Sequence, residues 1–258
     1  AVPSAYVLDV VDACAAKGVS ALVVISAGFA EVGEHGRARQ RHLLERVRAR
    51  GMRMVGPNCL GILNAEPSIR LNATFGPTCP PAGNTAVASQ SGAVGLALLD
   101  YASTLGIGIS HFASTGNKAD VSGNDLLEYW EHHETTRVIV LYLESFGNPR
   151  RFMQIARRVS RVKPILVVKS GRTEAGARAA TSHTGALAGM DVAVDALLGQ
   201  AGVIRTDTIQ ELFDLAMLLA NQRVPAGPRI AILTNAGGPG IMAADACESR
   251  GLVVAELS

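Results

Sequence analysis

With 258 residues, the chain is long enough to bury one large or two ordinary cores, and 48% hydrophobic against 18% charged residues suits a packed interior. A net charge of +2 and 4% aromatic residues give no support to nucleic-acid binding, and the longest apolar runs are strand-sized, too short to span a bilayer. Cys14, Cys59, Cys79 and Cys247 lie far apart without C-x-x-C spacing, so neither a disulfide framework nor a metal cluster is expected, and reduced cytoplasmic thiols are the default.

Strand-like apolar runs alternate with helical patterns along the chain. Helices are expected near 6–17, 36–50, 92–105, 123–133, 150–162, 193–201, 209–222 and 240–250. Strands are expected over 20–26, 53–55, 85–89, 109–113, 138–143, 165–169, 229–234 and 252–255. Continuous Val/Ile runs point to strands covered on both faces, hence to an α/β fold of parallel-sheet, three-layer units built from right-handed crossovers. The Pro/Gly stretch 76–83 stops both periodicities, as does a second one near 224–228. The organisation read from this is a partial unit over 1–75, a linker over 76–83, a complete unit over 84–223, and the start of a third over 229–258. The Arg-rich helix carrying Arg37, Arg39, Arg41, Arg46, Arg48 and Arg50 reads as a solvated face. No basic region followed by an apolar one opens the chain, so no secretory signal is expected, and a start without Met suggests a piece of a longer polypeptide.

Two strands run into glycine-rich helix starts. The first ends in Ser89-Gln90-Ser91-Gly92, where free N–H groups, two hydroxyls and a glycine make an anion site or a simple serine cap. The second runs through Asn235-Ala236-Gly237-Gly238-Pro239-Gly240; Gly238 and Gly240 suit a phosphate, or a loose dinucleotide fingerprint with Glu256 where a ribose-binding acid would fall. His183, in Thr181-Ser182-His183-Thr184-Gly185, lies among small loop residues that give it nothing to pack against. Neutral imidazole is nucleophilic near pH 7. Two helix N-termini flanking one phosphoryl group, with this histidine in reach, read as a phosphohistidine site. Glu144, just past the strand 138–143, is either a solvated loop carboxylate or the partner that fixes the His183 tautomer. Gly116, Asn117 and Asp120 mark another strand-end loop, with a pocket-lining role.

Four ordered segments, Ile25-Ser26-Ala27-Gly28-Phe29-Ala30-Glu31, Gly56-Pro57-Asn58-Cys59-Leu60-Gly61, Ser89-Gln90-Ser91-Gly92 and Ser182-His183-Thr184-Gly185-Ala186, resemble the NDP-forming acyl-CoA synthetases. That family comprises the ADP-forming acetate–CoA ligases and the succinyl-CoA synthetases. The resemblance implies a Rossmann-like CoA-binding portion followed by a flavodoxin-like ligase domain. It implies phosphorylation of His183, supported by Glu144, with phosphate held by Ser89, Ser91, Gly92, Gly238 and Gly240. Ser26, Gly28, Asn58 and Cys59 would border CoA, Cys59 as a small buried residue rather than a nucleophile. The implied reaction interconverts acyl-CoA, phosphate and ADP with acid, CoA and ATP through an acyl phosphate. ATP or ADP and Mg2+ would sit on an ATP-grasp domain or beta-type subunit, whose sequence this chain does not carry, and a small-molecule acid completes the substrates. No metal ligand is assigned in this chain, no membrane or nucleic-acid partner is expected, and an oligomer is compatible with the resemblance. Two other readings stand beside it. One is an acyl-CoA-sensing region of a protein lysine acetyltransferase; the other is an NAD-dependent oxidoreductase built on the Gly238 loop.

Overall fold

The computed structural model describes residues 2–172, 191–223 and 225–256. The chain divides into two compact units, Ala1–Asn221 and Gln222–Ser258.

The first unit opens with α1 (Val7–Ala16), β1 (Ala21–Val23), α2 (Glu34–Ala49) and β2 (Arg53–Val55), with β1 and β2 paired in parallel. Val7 and Val11 of α1 and Leu43 and Val47 of α2 repeat at four-residue spacing, which places each pair on one helix face. They close a small core with Phe29, Met52 and Met54. The arginines of α2 do not form a merely solvated face. Arg46 and Arg50 pair with Asp12 at 2.6 and 3.2 Å, and Arg48 pairs with the buried carboxylate of Asp120.

A seven-stranded sheet follows, made of β3 (Gly61–Asn64), β4 (Leu71–Thr74), β5 (Ala82–Ser89), β6 (Ile109–Ser114), β7 (Val138–Leu143), β8 (Ile165–Lys169) and β9 (Ile204–Thr206). Their order is β4-β3-β6-β5-β7-β8-β9. Strands β5 to β9 are mutually parallel and run 2-1-3-4-5 when counted from β5, the flavodoxin-like winding. The helices are α3 (Gly92–Thr104), α4 (Gly123–Glu131), α5 (Pro149–Val159), α6 (Asp191–Gln200) and α7 (Ile209–Asn221). Helices α3 and α7 cover one face through Leu98, Leu99, Leu212 and Phe213; α4, α5 and α6 cover the other through Leu127, Trp130, Phe152 and Leu198. Side chains along β7 alternate between the layers: Val138 and Val140 join the first, Ile139, Leu141 and Leu143 the second. Local chemistry sets the helix starts. Asn148 Oδ1 accepts the Arg151 N–H at 3.0 Å ahead of Pro149 at the first helical position of α5.

The larger sheet is parallel except at one edge. Strands β3 and β4 form an antiparallel hairpin, and β3 also pairs antiparallel with β6. Residues 61–74, read from sequence as the end of the first unit, therefore belong to the larger sheet. In strand pairing, the change from the smaller sheet to the larger falls between Val55 and Gly61.

In the second unit β10 (Arg229–Ile230) pairs in parallel with β11 (Val253–Val254) around α8 (Gly237–Glu248). β10 is shorter than the expected 229–234 because its partner offers two residues of ladder. α8 starts three residues earlier than expected, after Ala236. Pro239 is tolerated there because first-turn N–H groups lack an intrahelical acceptor.

Candidate functional site

At the carboxyl ends of β5 and β7 the strand order reverses, the place where open α/β sheets bind ligands. A cleft of about 600 Å3 opens there, a size suited to a small-molecule site. It gathers Asn58, Cys59, Ser91, Gly92, Gly116, Asn117 and Glu144 from four separate loops.

Ser91 is the N-cap of α3, and its Oγ accepts the Val94 N–H at 3.3 Å. A Cβ at Gly92 would meet only Leu60, at 3.7 and 3.8 Å, so the protein itself has room for a side chain there. Ser89 lies outside the cleft lining: it is fully buried, and its hydroxyl donates to the Ser91 carbonyl at 2.7 Å. Its place is beneath the turn, shaping it. Gln90, given no role in the sequence reading, ties the two strand ends together. Its Oε1 accepts the N–H groups of Glu144 and Ser145 at 2.8 and 2.9 Å, and its amide donates to the Ser145 carbonyl at 2.7 Å.

A second network joins the loops from the smaller sheet. The Asn117 amide donates to Glu31 Oε2 at 2.6 Å and to Gln40 at 2.9 Å, and its Oδ1 accepts from Asn58 at 3.2 Å. Asn58 is held by its own N–H on the Ser26 carbonyl at 3.0 Å. Burial acts to raise the Glu31 carboxyl, but the Asn117 amide and the N–H groups of Gly28 and Phe29 outweigh it and hold its pKa below the ordinary carboxylate value. Gly116 has φ +52°, and a Cβ there would fall 2.3 Å from the carbonyl oxygens of Pro57 and Asn58, so only glycine lets these loops meet.

Ser26 and Gly28 stand out of phase with the cleft, which Ile25 and Ala27 line instead. The Ser26 hydroxyl donates to the Val2 carbonyl at 2.5 Å, and Gly28 gives its N–H to Glu31 and its carbonyl to Arg39. Cys59 is buried with Sγ 3.4 Å from the Val24 carbonyl, and burial pushes its thiol up to about 11, consistent with the buried, non-nucleophilic reading. Asp120 does not line the cleft. It accepts the Met54 N–H at 2.7 Å and pairs with Arg53 at 3.0 Å, fastening β2 to the Asn117 loop.

Lys118 was also missed in sequence. Its ammonium donates to Ser145 Oγ at 2.6 Å, and burial pushes its pKa down to about 8, an effect that the Glu144 carboxylate opposes and the Lys169 ammonium deepens. In the second unit, Gly238 and Gly240 lie in the first turn of α8, whose N-cap Ala236 offers no side-chain hydrogen bond. His183 lies outside the described residues.

Comparison with known proteins gives concordant matches. Residues 82–219 match the succinyl-CoA ligase like flavodoxin domain, and residues 1–65 match a CoA binding domain. The chain is 47% identical over 251 residues to the acetate–CoA ligase [ADP-forming] I subunit alpha of Pyrococcus furiosus, covering 97% of this chain and 54% of that protein. It is 41% identical over 259 residues to the 4-hydroxybutyrate–CoA ligase [ADP-forming] of Nitrosopumilus maritimus, covering 100% of this chain and 37% of the relative. A structure of the dinucleotide-forming acetyl-coenzyme A synthetase 1 of Ca. Korarchaeum cryptofilum, in complex with phosphate and ADP, superposes with a TM-score of 0.93 at 43% identity, covering 100% of this chain and 55% of that one. The chain thus spans about half the length of the alpha subunit, and less of the 4-hydroxybutyrate relative. These matches lend no support to the acetyltransferase or NAD readings.

Proposed function

The chain belongs to the NDP-forming acyl-CoA synthetase family, and from that premise we propose that it is the alpha-type portion of an ADP-forming acid–CoA ligase. The observation that carries the reading is the cleft at the β5/β7 switch point, which unites the turn before α3, Glu144 and the loops of the CoA-binding portion. In the proposed reaction, phosphate attacks the acyl-CoA carbonyl and displaces the CoA thiol, giving an acyl phosphate. His183 then takes the phosphoryl group, releasing the carboxylic acid. Phospho-His183 passes that group to ADP, and ATP forms.

The residues of this chain have defined tasks in that scheme. Ser91 and the first-turn N–H groups of α3 face developing phosphoryl charge with the positive end of a helix dipole. Gly92 keeps that turn open to the anion. Glu144, held by Gln90, orients and stabilises the imidazole as charge builds on it. Gly238 and Gly240 open the first turn of α8, a second helix start suited to an anion. Asn58 and Cys59 border the thioester end of CoA, with Ser26 and Gly28 supporting that loop from behind. Binding of ADP with Mg2+ falls to an ATP-grasp domain or beta-type subunit. The free thiols of Cys14, Cys59, Cys79 and Cys247 suit a cytoplasmic setting. Among the described residues, no helix is long and apolar enough to cross a membrane.

The test uses the chain by itself with radiolabelled acetyl phosphate, which bypasses both CoA and nucleotide. The expected product is one acid-labile, base-stable phosphoryl group, absent from His183→Ala and slowed in Glu144→Gln. Absence of label on the wild type, or equal label on His183→Ala, rejects the reading.

A further inference from the structure

We propose that Glu66, His111 and His133 form a binding site for one divalent transition-metal ion of the zinc class, separate from the ligase cleft. Their candidate ligand atoms all lie within 4.8 Å of one another, and none of the three lines the cleft. His111 sits in β6, where its backbone pairs with Asn64 of β3; Glu66 follows that strand, its N–H donated to Asn64 Oδ1 at 2.9 Å. His133 follows the last turn of α4, held by the Lys163 ammonium on its carbonyl at 2.6 Å. Three different elements therefore deliver the three side chains to one point.

The hydrogen-bond arithmetic there does not close without a cation. Glu66 Oε1 is 3.0 Å from His133 Nε2 and 3.0 Å from the Thr135 hydroxyl, which is itself 3.2 Å from His133 Nδ1. These contacts share only two hydrogens, one on Thr135 and one on a neutral imidazole. One contact must therefore bring two lone pairs together unless a proton or a metal ion intervenes. A second observation favours the metal. His111 is 6% exposed, and neither of its ring nitrogens has a hydrogen-bond partner, an orphaned pair in a buried setting. Its ring stands edge-on to that of His133, with centroids 4.4 Å apart. A proton on His133 leaves both His111 nitrogens without a partner, whereas a metal ion between Nε2 of His133, a carboxylate oxygen and a His111 nitrogen engages one of them and leaves only the other ring N–H to be accounted for.

The donor set is two imidazoles and one carboxylate, which selects zinc and its neighbours over calcium or magnesium. Bonds of about 2.0–2.2 Å require the ligand atoms to draw in, and water supplies the fourth position. Glu66 and His133 have side chains 18% exposed, so both can rotate to do so. With the metal bound, Nδ1 of His133 donates to Thr135 and Thr135 to Glu66, the outer-shell pattern that orients ligating histidine.

The test takes the untagged chain, stripped with a chelator, and titrates it with zinc and separately with cobalt(II). We expect one tightly held zinc ion per chain, a concentration-dependent rise in Tm, and the visible bands of a low-symmetry cobalt site. His133→Ala and Glu66→Gln, changed at half-buried positions that keep the fold, should each weaken zinc binding at least tenfold and abolish the cobalt bands, and His111→Phe should do the same. Failure of the wild type to retain zinc, or retention with unchanged affinity in both His133→Ala and Glu66→Gln, overturns the proposal.

Discussion

Gln90 holds the backbone of Glu144. One amide oxygen accepts the N–H groups of Glu144 and Ser145, so a side chain leaving the end of β5 fixes the loop that leaves β7. Gln90→Leu keeps the bulk and strands two donors in a half-buried place. We expect a loss of about 1–3 kcal/mol, read from urea unfolding, together with a slower phosphoryl transfer from acetyl phosphate. Unchanged stability with unchanged transfer would show that Glu144 needs no such tether.

Gly92 and Gly116 should respond in opposite ways to the same substitution. Gly92→Ala meets only ordinary contacts, so the protein should fold with stability equal to or slightly above the wild type. Its His183 phosphorylation should fall on the order of 10²-fold as the methyl group intrudes on the anion. Gly116→Ala drives a Cβ into two carbonyl oxygens at a positive φ and should cost about 2 kcal/mol or more of stability. Thermal unfolding and the labelling assay, run on both variants, separate the two effects; a Gly92→Ala protein as active as the wild type would mean that no anion approaches that turn.

Lys118 carries a pH signature. Burial lowers its folded pKa to about 8 from an ordinary 10.5. Between those values the unfolded chain holds a proton that the folded chain has released, so this residue's contribution to stability rises with pH across the window. Below about pH 8 the desolvated charge counts against the fold. Urea unfolding of wild type and Lys118→Met at several pH values between the two should show the wild type gaining on the variant as pH climbs. Parallel curves would place the ammonium in water.

The buried thiol of Cys59, pushed up to about 11, should resist alkylation at neutral pH, while the exposed Cys79 reacts quickly. Timed iodoacetamide labelling with peptide mass analysis distinguishes them. Modification of Cys59 at the rate of Cys79 would restore it as a candidate nucleophile.

The legibility of this chain followed the physics of its elements. β7 and β8 were visible because strands buried on both faces must be continuous Val, Ile and Leu runs. The β3–β4 hairpin was not, because both strands are only four residues long, β3 ends on Asn64, and β4, the exposed edge strand, carries Asn72 and no apolar run. In the cleft, the glycine turn and Glu144 could be read from a strand end. Along the segment 25–28, alternation turns Ile25 and Ala27 toward the cleft, while Ser26 and Gly28 bond to Val2, Glu31 and Arg39, a phase that a loop sequence does not announce. Gln90 and Glu31 had no local signal, since their importance lies in bonds to loops more than 50 residues away. The Glu66–His111–His133 cluster carries no local signal for the same reason: no two of its members share a short motif, and they meet only through the packing around β6.

The β3–β4 hairpin also governs how this chain can be recombined with its cousins. A graft cut in the proline run at 76–83 would carry away two outer strands of the larger sheet and leave β6 with a raw edge, open to pairing with any neighbour. A splice near 56–60 would respect the strand pairing but slice through the turn carrying Asn58, whose bonds to Ser26 and Asn117 stitch the front segment to the rest. The front segment is thus not an interchangeable cassette, and its inheritance should track that of the strands behind it.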